Sequence, residues 1–248
     1  MTEKNTDAKR RRALVTGASG DIGAAICTAL ADAGCVVHAQ AHTNRARAQV
    51  VVDSVRARGG EAEVVVFDIA DAVATRAAIE GMLASGTIDI LVHNAGIHDD
   101  APLAGMSDAQ WHRVIDVSLH GFFHATQPLL LPMARAKFGR IVAVSSVAAQ
   151  LGNRGQVNYA AAKSALHGAA KSLAREMASR GVTVNVIAPG VIAGRLSDAA
   201  FDEAQIRQFV PAGRAGRPEE VAAAIAFLCS DAAGYVNGQV IGVNGAMA

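Results

Sequence analysis

The sequence predicts an α/β protein: a doubly wound, seven-stranded parallel sheet with helices on both faces. Three observations predict it. Short β-rich runs recur along the 248 residues, longer Ala-rich segments of helical period separate them, and a glycine-rich turn follows the first run. Parallel neighbours need a crossover, and such crossovers are right-handed, so steady strand–helix alternation winds helices onto both faces.

The runs fall in order at ALVT (13 to 16), CVVHAQA (35 to 41), AEVVVF (62 to 67), IDILVH (88 to 93), RIVAVS (140 to 145), VTVNVI (182 to 187) and QVIGV (239 to 243). Between the first two, IGAAICTALADAG puts Ile22, Ile26, Ala29, Leu30 and Ala33 on one helical face, the stripe a sheet-covering helix needs. No Pro- or Ser-rich linker, repeat or low-complexity block divides the chain. Residues 194 to 217 break the rhythm with a polar helical piece between the sixth and seventh strands, where a substrate lid is expected. Residues 1 to 12 read as a disordered leader and 13 to 248 as a single dinucleotide-binding catalytic domain.

Composition narrows the function classes. Hydrophobic residues make up 51% of the chain and charged residues 18%, the balance of a heavily buried globule. A formal charge of +1 gives no global electrostatic case for nucleic acid or an anionic membrane as a partner. Cys27, Cys35 and Cys229 are odd in number and lack zinc-ligand spacing, so neither a disulfide framework nor a metal is expected. The polar amino terminus has no secretory h-region, and no apolar run approaches membrane-spanning length, so the expected setting is cytoplasmic.

The turn VTGASGDIGAAI (15 to 26) runs strand, bend, helix, the place where backbone N–H groups meet a pyrophosphate in Rossmann-type sheets. Alone it is weak, since turns need glycine for steric reasons. Asp21 complicates it: a carboxylate repels phosphate, yet in a first helical turn it also favours the helix dipole. Further on, Tyr159 and Lys163 stand four apart on a helical stretch, one of only two tyrosines in the chain beside a cation on the same face. A free phenol has a pKa of about 10, and an adjacent cation stabilises its anion.

Taken together, Thr-Gly-x-x-x-x-x-Gly at 16 to 23, HNAG at 93 to 96, a serine at 146, Tyr-x-x-x-Lys at 159 to 163 and Pro-Gly at 189 to 190 resemble the short-chain dehydrogenase/reductase family, over essentially everything after residue 12. Within it, the stretch GNRGQVNYAAAKSALHGAAKSLAREMASRGVTVNVIAPG is most similar to the β-ketoacyl-carrier-protein reductases. The resemblance implies a proton-donating Tyr159, assisted by Lys163, with Ser146 hydrogen-bonding the carbonyl oxygen and Ser118 at the position of the catalytic asparagine. It implies cofactor contacts at Gly17, Ser19, Gly20, Asp21, Ile22 and Gly23 on the phosphate turn. It places Asp68 and Ile69 beside the adenine, Asn94, Ala95 and Gly96 beside the adenosine, and Pro189, Gly190 and Ile192 opposite the carboxamide. Tyr159 and Lys163 also belong to that contact set. After the second strand, Ala41 stands where an acid would meet the ribose of NAD, and His42, Thr43, Asn44 and Arg45 offer donors, so NADPH is expected over NADH.

Four positions depart from the family pattern: Ser118 for asparagine, Asp21 for the middle glycine, Gly194 for a carboxamide-binding threonine, and His93 for the first asparagine of NNAG. The implied reaction is reduction of a 3-ketoacyl thioester on acyl carrier protein, in fatty-acid or related polyketide or polyene synthesis. Lys137 and Arg180 match positions that face the acidic carrier. An acetoacetyl-CoA reductase, a general short-chain alcohol dehydrogenase and a nucleotide-binding module without activity stand as alternatives. A homotetramer is expected, through the long fourth and fifth helices and the carboxyl-terminal strand. His120 and His124 share a helical face without the H-E-x-x-H acid, so no metal is assigned to them.

Overall fold

The computed structural model describes residues 10–195, 197 and 202–248. Seven parallel strands form one sheet in the order β3-β2-β1-β4-β5-β6-β7: β1 Arg12–Val15, β2 Val36–Ala41, β3 Glu61–Val66, β4 Ile90–His93, β5 Gly139–Val144, β6 Val182–Pro189 and β7 Val240–Val243. The helices between them are α1 Asp21–Asp32, α2 Arg45–Ala57, α3 Ala72–Leu83, α4 Asp108–Ile115, α5 Gly121–Ala136, α6 Ala148–Leu151, α7 Val157–Met177, α8 Glu203–Phe209 and α9 Pro218–Cys229. The expected seven-stranded parallel architecture is the one observed.

Alternation along buried strands sends successive side chains to opposite faces, and each face has its own core. On one side Val37, Val92 and Val142 pack with Ile26 and Leu30 of α1, Val52 and Val55 of α2, and Ile225 and Leu228 of α9. On the other, Leu14, Leu91, Ile141 and Val184 meet Ile79 of α3, Leu129 and Met133 of α5, and Leu166 and Ala170 of α7. Caps fix where helices begin. Asp71 accepts from the N–H groups of Val73 and Ala74 ahead of α3, and Ser107 with Gln110 forms a reciprocal capping box ahead of α4, each worth about 1 kcal/mol. Among the described residues no helix is long and apolar enough to cross a membrane.

The boundary of the leader needs correction. Arg12 already pairs with Val36 in the sheet, and its guanidinium donates to the carbonyls of Met82 and Gly86. Arg11 donates to Asp231 at 2.6 Å and Arg10 pairs with Glu61, so partners on the body hold residues 10 to 12; the remainder of the expected leader, 1 to 9, lies outside the described residues. The expected lid at 194 to 217 lies outside them in part. Its two ends meet where Ala193 N–H donates to Gly216 O (2.7 Å) and Gly216 N–H to Val191 O (2.9 Å), and α8 lies between.

Gly23 shows how tightly the first turn is packed. A Cβ there would collide with the Gly17 carbonyl oxygen and stand 2.9 Å from both Ala18 Cα and Asn94 Nδ2. Gly23→Ala is therefore expected to lower stability by about 1–3 kcal/mol through overpacking, measured as a lower urea midpoint with an unchanged slope.

Candidate active site

Strand order reverses between β1 and β4, and in open α/β sheets the crevice beyond the carboxyl ends at such a point is where ligands bind. The glycine-rich turn opens onto it. Gly17 has φ +64°, and a Cβ there would stand 2.9 Å from Ala95 Cα. Gln40 holds this turn from one side, accepting from Gly17 N–H (2.9 Å) while its amide donates to Phe67 O (2.7 Å). Asn94 holds it from the other, donating to the carbonyls of Thr16 and Gly17. Gly20 precedes α1 and offers no side-chain cap, so the first-turn N–H groups beside Ser19, Asp21 and Ile22 suit an anion such as a pyrophosphate.

Asp21 is not a free charge in this crevice. Its carboxylate accepts from Arg195 N–H (3.1 Å) and from the Arg195 guanidinium (2.9 Å), which offsets the repulsion expected from the sequence. Two departures from the family pattern also meet here, since a Cβ at Gly194 would lie 2.5 Å from Asp21 Oδ2.

The donors expected after β2 are only partly available. His42 Nε2 lies 3.5 Å from Asp68 Oδ2, while Asn44, whose side-chain oxygen caps α2 at Arg47 N–H, keeps its amide NH2 as the donor. Asp68 accepts from Ala70 N–H. Thr43 and Arg45 are exposed. Sequence reasoning missed Arg47, whose guanidinium folds back to donate to Ser19 O at 2.9 Å, bringing a cation to the glycine-rich turn. It missed Gln40 as well, although a buried amide at the end of an apolar strand is a readable signal. Ile69 turns its side chain into the core against Gly121, leaving only its backbone for the crevice. Pro189 ends β6, Gly190 donates to Val243 O, and Ile192 bridges to Gly216 at the base of the lid segment.

The structure brings Ser146, Tyr159 and Lys163 together at the carboxyl edge. Ser146 follows β5, accepts from Ala148 N–H (3.1 Å) and lies close enough to the Tyr159 hydroxyl to act on its acidity. Ser145 ties β5 to α7 by donating to Lys163 O (3.0 Å) and meeting His167 Nε2 (2.8 Å), which sets the face α7 presents. The Lys163 side chain is 2% exposed and donates to Val144 O (2.9 Å), its ammonium 5.8 Å from the Tyr159 ring centre.

In the protein alone, the phenol and the ammonium both respond chiefly to burial. Burial dominates and raises the Tyr159 hydroxyl above its ordinary value, Ser146 pulls it down, and Asp100 raises it again. Burial also lowers the Lys163 ammonium to about 8. The phenol is thus loaded with its proton, the form that can donate to a developing alkoxide.

Ser118 lies in a π-helical turn, Asp116–His120, between α4 and α5. It is fully buried, and a Cβ at Gly96 would lie 3.6 Å from its Oγ and 2.7 Å from Lys163 Nζ, so it does join the Lys163 side of the site. His120 pairs with Asp116 (2.8 Å) and His124 with Ile69 O (3.0 Å), each engaged separately.

Fold and site together define a class: a doubly wound α/β protein of Rossmann type whose switch-point crevice carries a serine–tyrosine–lysine constellation. A family model described as enoyl-(acyl carrier protein) reductase matches residues 17–247. The chain is 43% identical over 238 residues to the 3-oxoacyl-(acyl-carrier-protein) reductase FabG of Escherichia coli strain K12, covering 95% of this chain and 96% of that one. It is 41% identical over 240 residues to the enzyme of the same name from Staphylococcus aureus strain Mu50, covering 96% and 98%. The chain belongs to the short-chain dehydrogenase/reductase family.

Burial of Lys163 has a thermodynamic signature. Its folded pKa of about 8 lies below the ordinary 10.5, so between these values the unfolded state binds more protons and stability rises with pH. Urea unfolding of the parent beside Lys163→Met should show the parent gaining relative to the variant as pH rises from about 8 towards 10.5, with a constant difference below 8.

Proposed function

We propose that the protein reduces a 3-ketoacyl thioester carried on acyl carrier protein to the 3-hydroxyacyl thioester with NADPH, in fatty-acid or related polyketide or polyene synthesis. One observation carries this reading: two hydroxyls, Ser146 and Tyr159, stand together at the carboxyl edge with a buried ammonium nearby. Two neighbouring hydroxyls suit an oxygen gaining negative charge. Members of this family use a nicotinamide cofactor, and the relatives named above are called 3-oxoacyl-(acyl-carrier-protein) reductases.

In this reading the bound nicotinamide supplies the hydride, and the chain supplies the rest. The Gly17–Gly23 turn and the first turn of α1 hold the pyrophosphate. Asp68, Asn94, Ala95 and Gly96 lie along the adenosine side, and Pro189, Gly190 and Ile192 along the other. Ser146 polarises the ketone, and Tyr159, kept protonated by burial, donates to the oxygen. Lys163 keeps a positive charge beside the phenol as it loses its proton. Exposed Leu103, Leu151 and Phe209 stand on segments following β4, β5 and β6, apolar surface suited to an acyl chain.

The carrier is supported by the relatives rather than by Lys137 and Arg180. Lys137 precedes β5 and Arg180 precedes β6, so both stand at the amino edge of the sheet, the opposite end from Ser146. A carrier gripping both faces away from this chain's own crevice, and in the homotetramer we also propose it would serve another copy. A cytoplasmic setting belongs to the same reading.

NADPH oxidation should be followed with acetoacetyl thioesters on carrier protein and on CoA. Turnover on the carrier with a loss of about 10²–10⁴ in kcat for Tyr159→Phe is the expected result. Activity restricted to a 2-enoyl thioester, in line with the description of the family model, would overturn ketone reduction. Equal turnover on CoA would remove the carrier. For the cofactor, Ala41, Thr43, Arg45 and Arg47 place cations and no acid on the chain just after β2. kcat/KM should therefore favour NADPH over NADH, and Arg47→Ala should narrow that ratio through KM for NADPH alone.

A further inference from the structure

β2 lies between β1 and β3 in the sheet, so the glycine-rich turn after β1 and Asp68 after β3 stand on either side of it. Each of these segments has its own outer anchors. Asn94, which follows β4, donates to the carbonyls of Thr16 and Gly17. On the other side, Asp68 O accepts from Thr75 Oγ1 of α3 (3.0 Å), and Ile69 O meets His124 Nδ1 of α5 (3.0 Å).

Gln40 joins the two. It is the penultimate residue of β2 and 2% exposed. Its Oε1 accepts from Gly17 N–H at 2.9 Å, and its Nε2 donates to Phe67 O at 2.7 Å, one residue before Asp68. Among the described residues no other side chain hydrogen-bonds to both segments. The amide cannot be reversed, because the N–H on one side needs an acceptor and the carbonyl on the other needs a donor. The backbone of β2 adds to the hold: Gln40 O accepts from Ala18 N–H at 2.8 Å and Ala41 O from Phe67 N–H at 3.2 Å. With the N–H groups of Gly17 and Ala18 taken by Gln40, and that of Gly20 by Gly17 O, those of Ser19, Asp21 and Ile22 remain for an anion.

We infer that Gln40 is a positioning residue that sets the spacing between the glycine-rich turn and the Asp68 segment, so that one dinucleotide reaches both at once. The inference rests on the cofactor reading above. An amide bonded at both ends tolerates little change in the separation of its partners, since such a bond weakens beyond about 3.2 Å. Without it, each segment follows its own outer anchors. A ligand that touches one segment then loses little, whereas a ligand that spans both loses the match.

The test uses the full chain with Gln40→Leu and Gln40→Glu. Gln40→Leu removes both bonds, while Gln40→Glu keeps the acceptor for Gly17 N–H and sets a carboxylate oxygen against Phe67 O. NADPH and its fragment adenosine 2′,5′-bisphosphate are titrated by calorimetry. In both variants the Kd for NADPH should rise about tenfold or more, and that for the fragment should stay within about twofold. In turnover, KM should rise by the same factor for NADPH and NADH, with kcat at saturating cofactor within about twofold of the parent. That shared factor separates Gln40 from Arg47, whose loss acts on NADPH alone. In the free protein, amide hydrogen exchange at Gly17 should quicken in Gln40→Leu and stay parental in Gln40→Glu. An unchanged Kd for NADPH, a loss shared equally by the fragment, or a fall in kcat with KM unchanged would overturn the inference and leave the cofactor reading standing. If Gln40→Leu does not fold, Gln40→Glu carries the same contrast between dinucleotide and fragment. A parent that binds neither NADPH nor NADH would overturn the cofactor reading, and the inference with it.

Discussion

A buried ammonium sets the terms for the rest of the site. Lys163 projects from α7 with its charge against the Val144 carbonyl, at the point where β5 gives way to Ser145 and Ser146. Burying a cation is unfavourable unless polar groups surround it, so the polar surroundings of Lys163 are part of the fold's energetics as much as of its chemistry. They come from separate parts of the chain: the end of β5, the π turn after α4, and the backbone at Gly96, which must lack a side chain to admit Nζ. Ser145 closes the arrangement by tying its hydroxyl to the Lys163 carbonyl, so the strand that presents Ser146 also fixes the helix that presents Tyr159.

This geometry changes how the tyrosine is understood. A cation one helical turn away suggests a phenol ready to ionise. In the fold, the ammonium is turned towards Val144, and loss of solvent around the ring is the larger influence on the phenol. The outcome favours a loaded proton donor over a resting base.

Much of this was legible in the sequence, and for physical reasons. Strands buried on both faces appear as apolar runs, so all seven could be located to within a few residues. Tyr159 and Lys163 stood out by their helical spacing, and Ser146 only through the family resemblance. What stayed hidden depends on contacts distant in sequence. Nothing near residue 118 announces a π turn, and nothing near 93 says that its imidazole ends on the Ser118 carbonyl 25 residues away. At the start of α2, Asn44 takes up the cap through its side-chain oxygen, and Arg47, one turn into the helix, reaches Ser19 O, a contact that nothing in the local sequence announces. Lys137 and Arg180 matched a motif position by position, yet parallel strands carried both to the far edge of the sheet.

The contact between Asp21 and Gly194 ties the first bend to the segment after the sixth strand. The carboxylate at 21 occupies the room that a Cβ at 194 would enter, so a side chain there would have to turn the acid aside and disturb the hold of Arg195 on it. The charge at the bend and the backbone beyond β6 therefore hold or shift together.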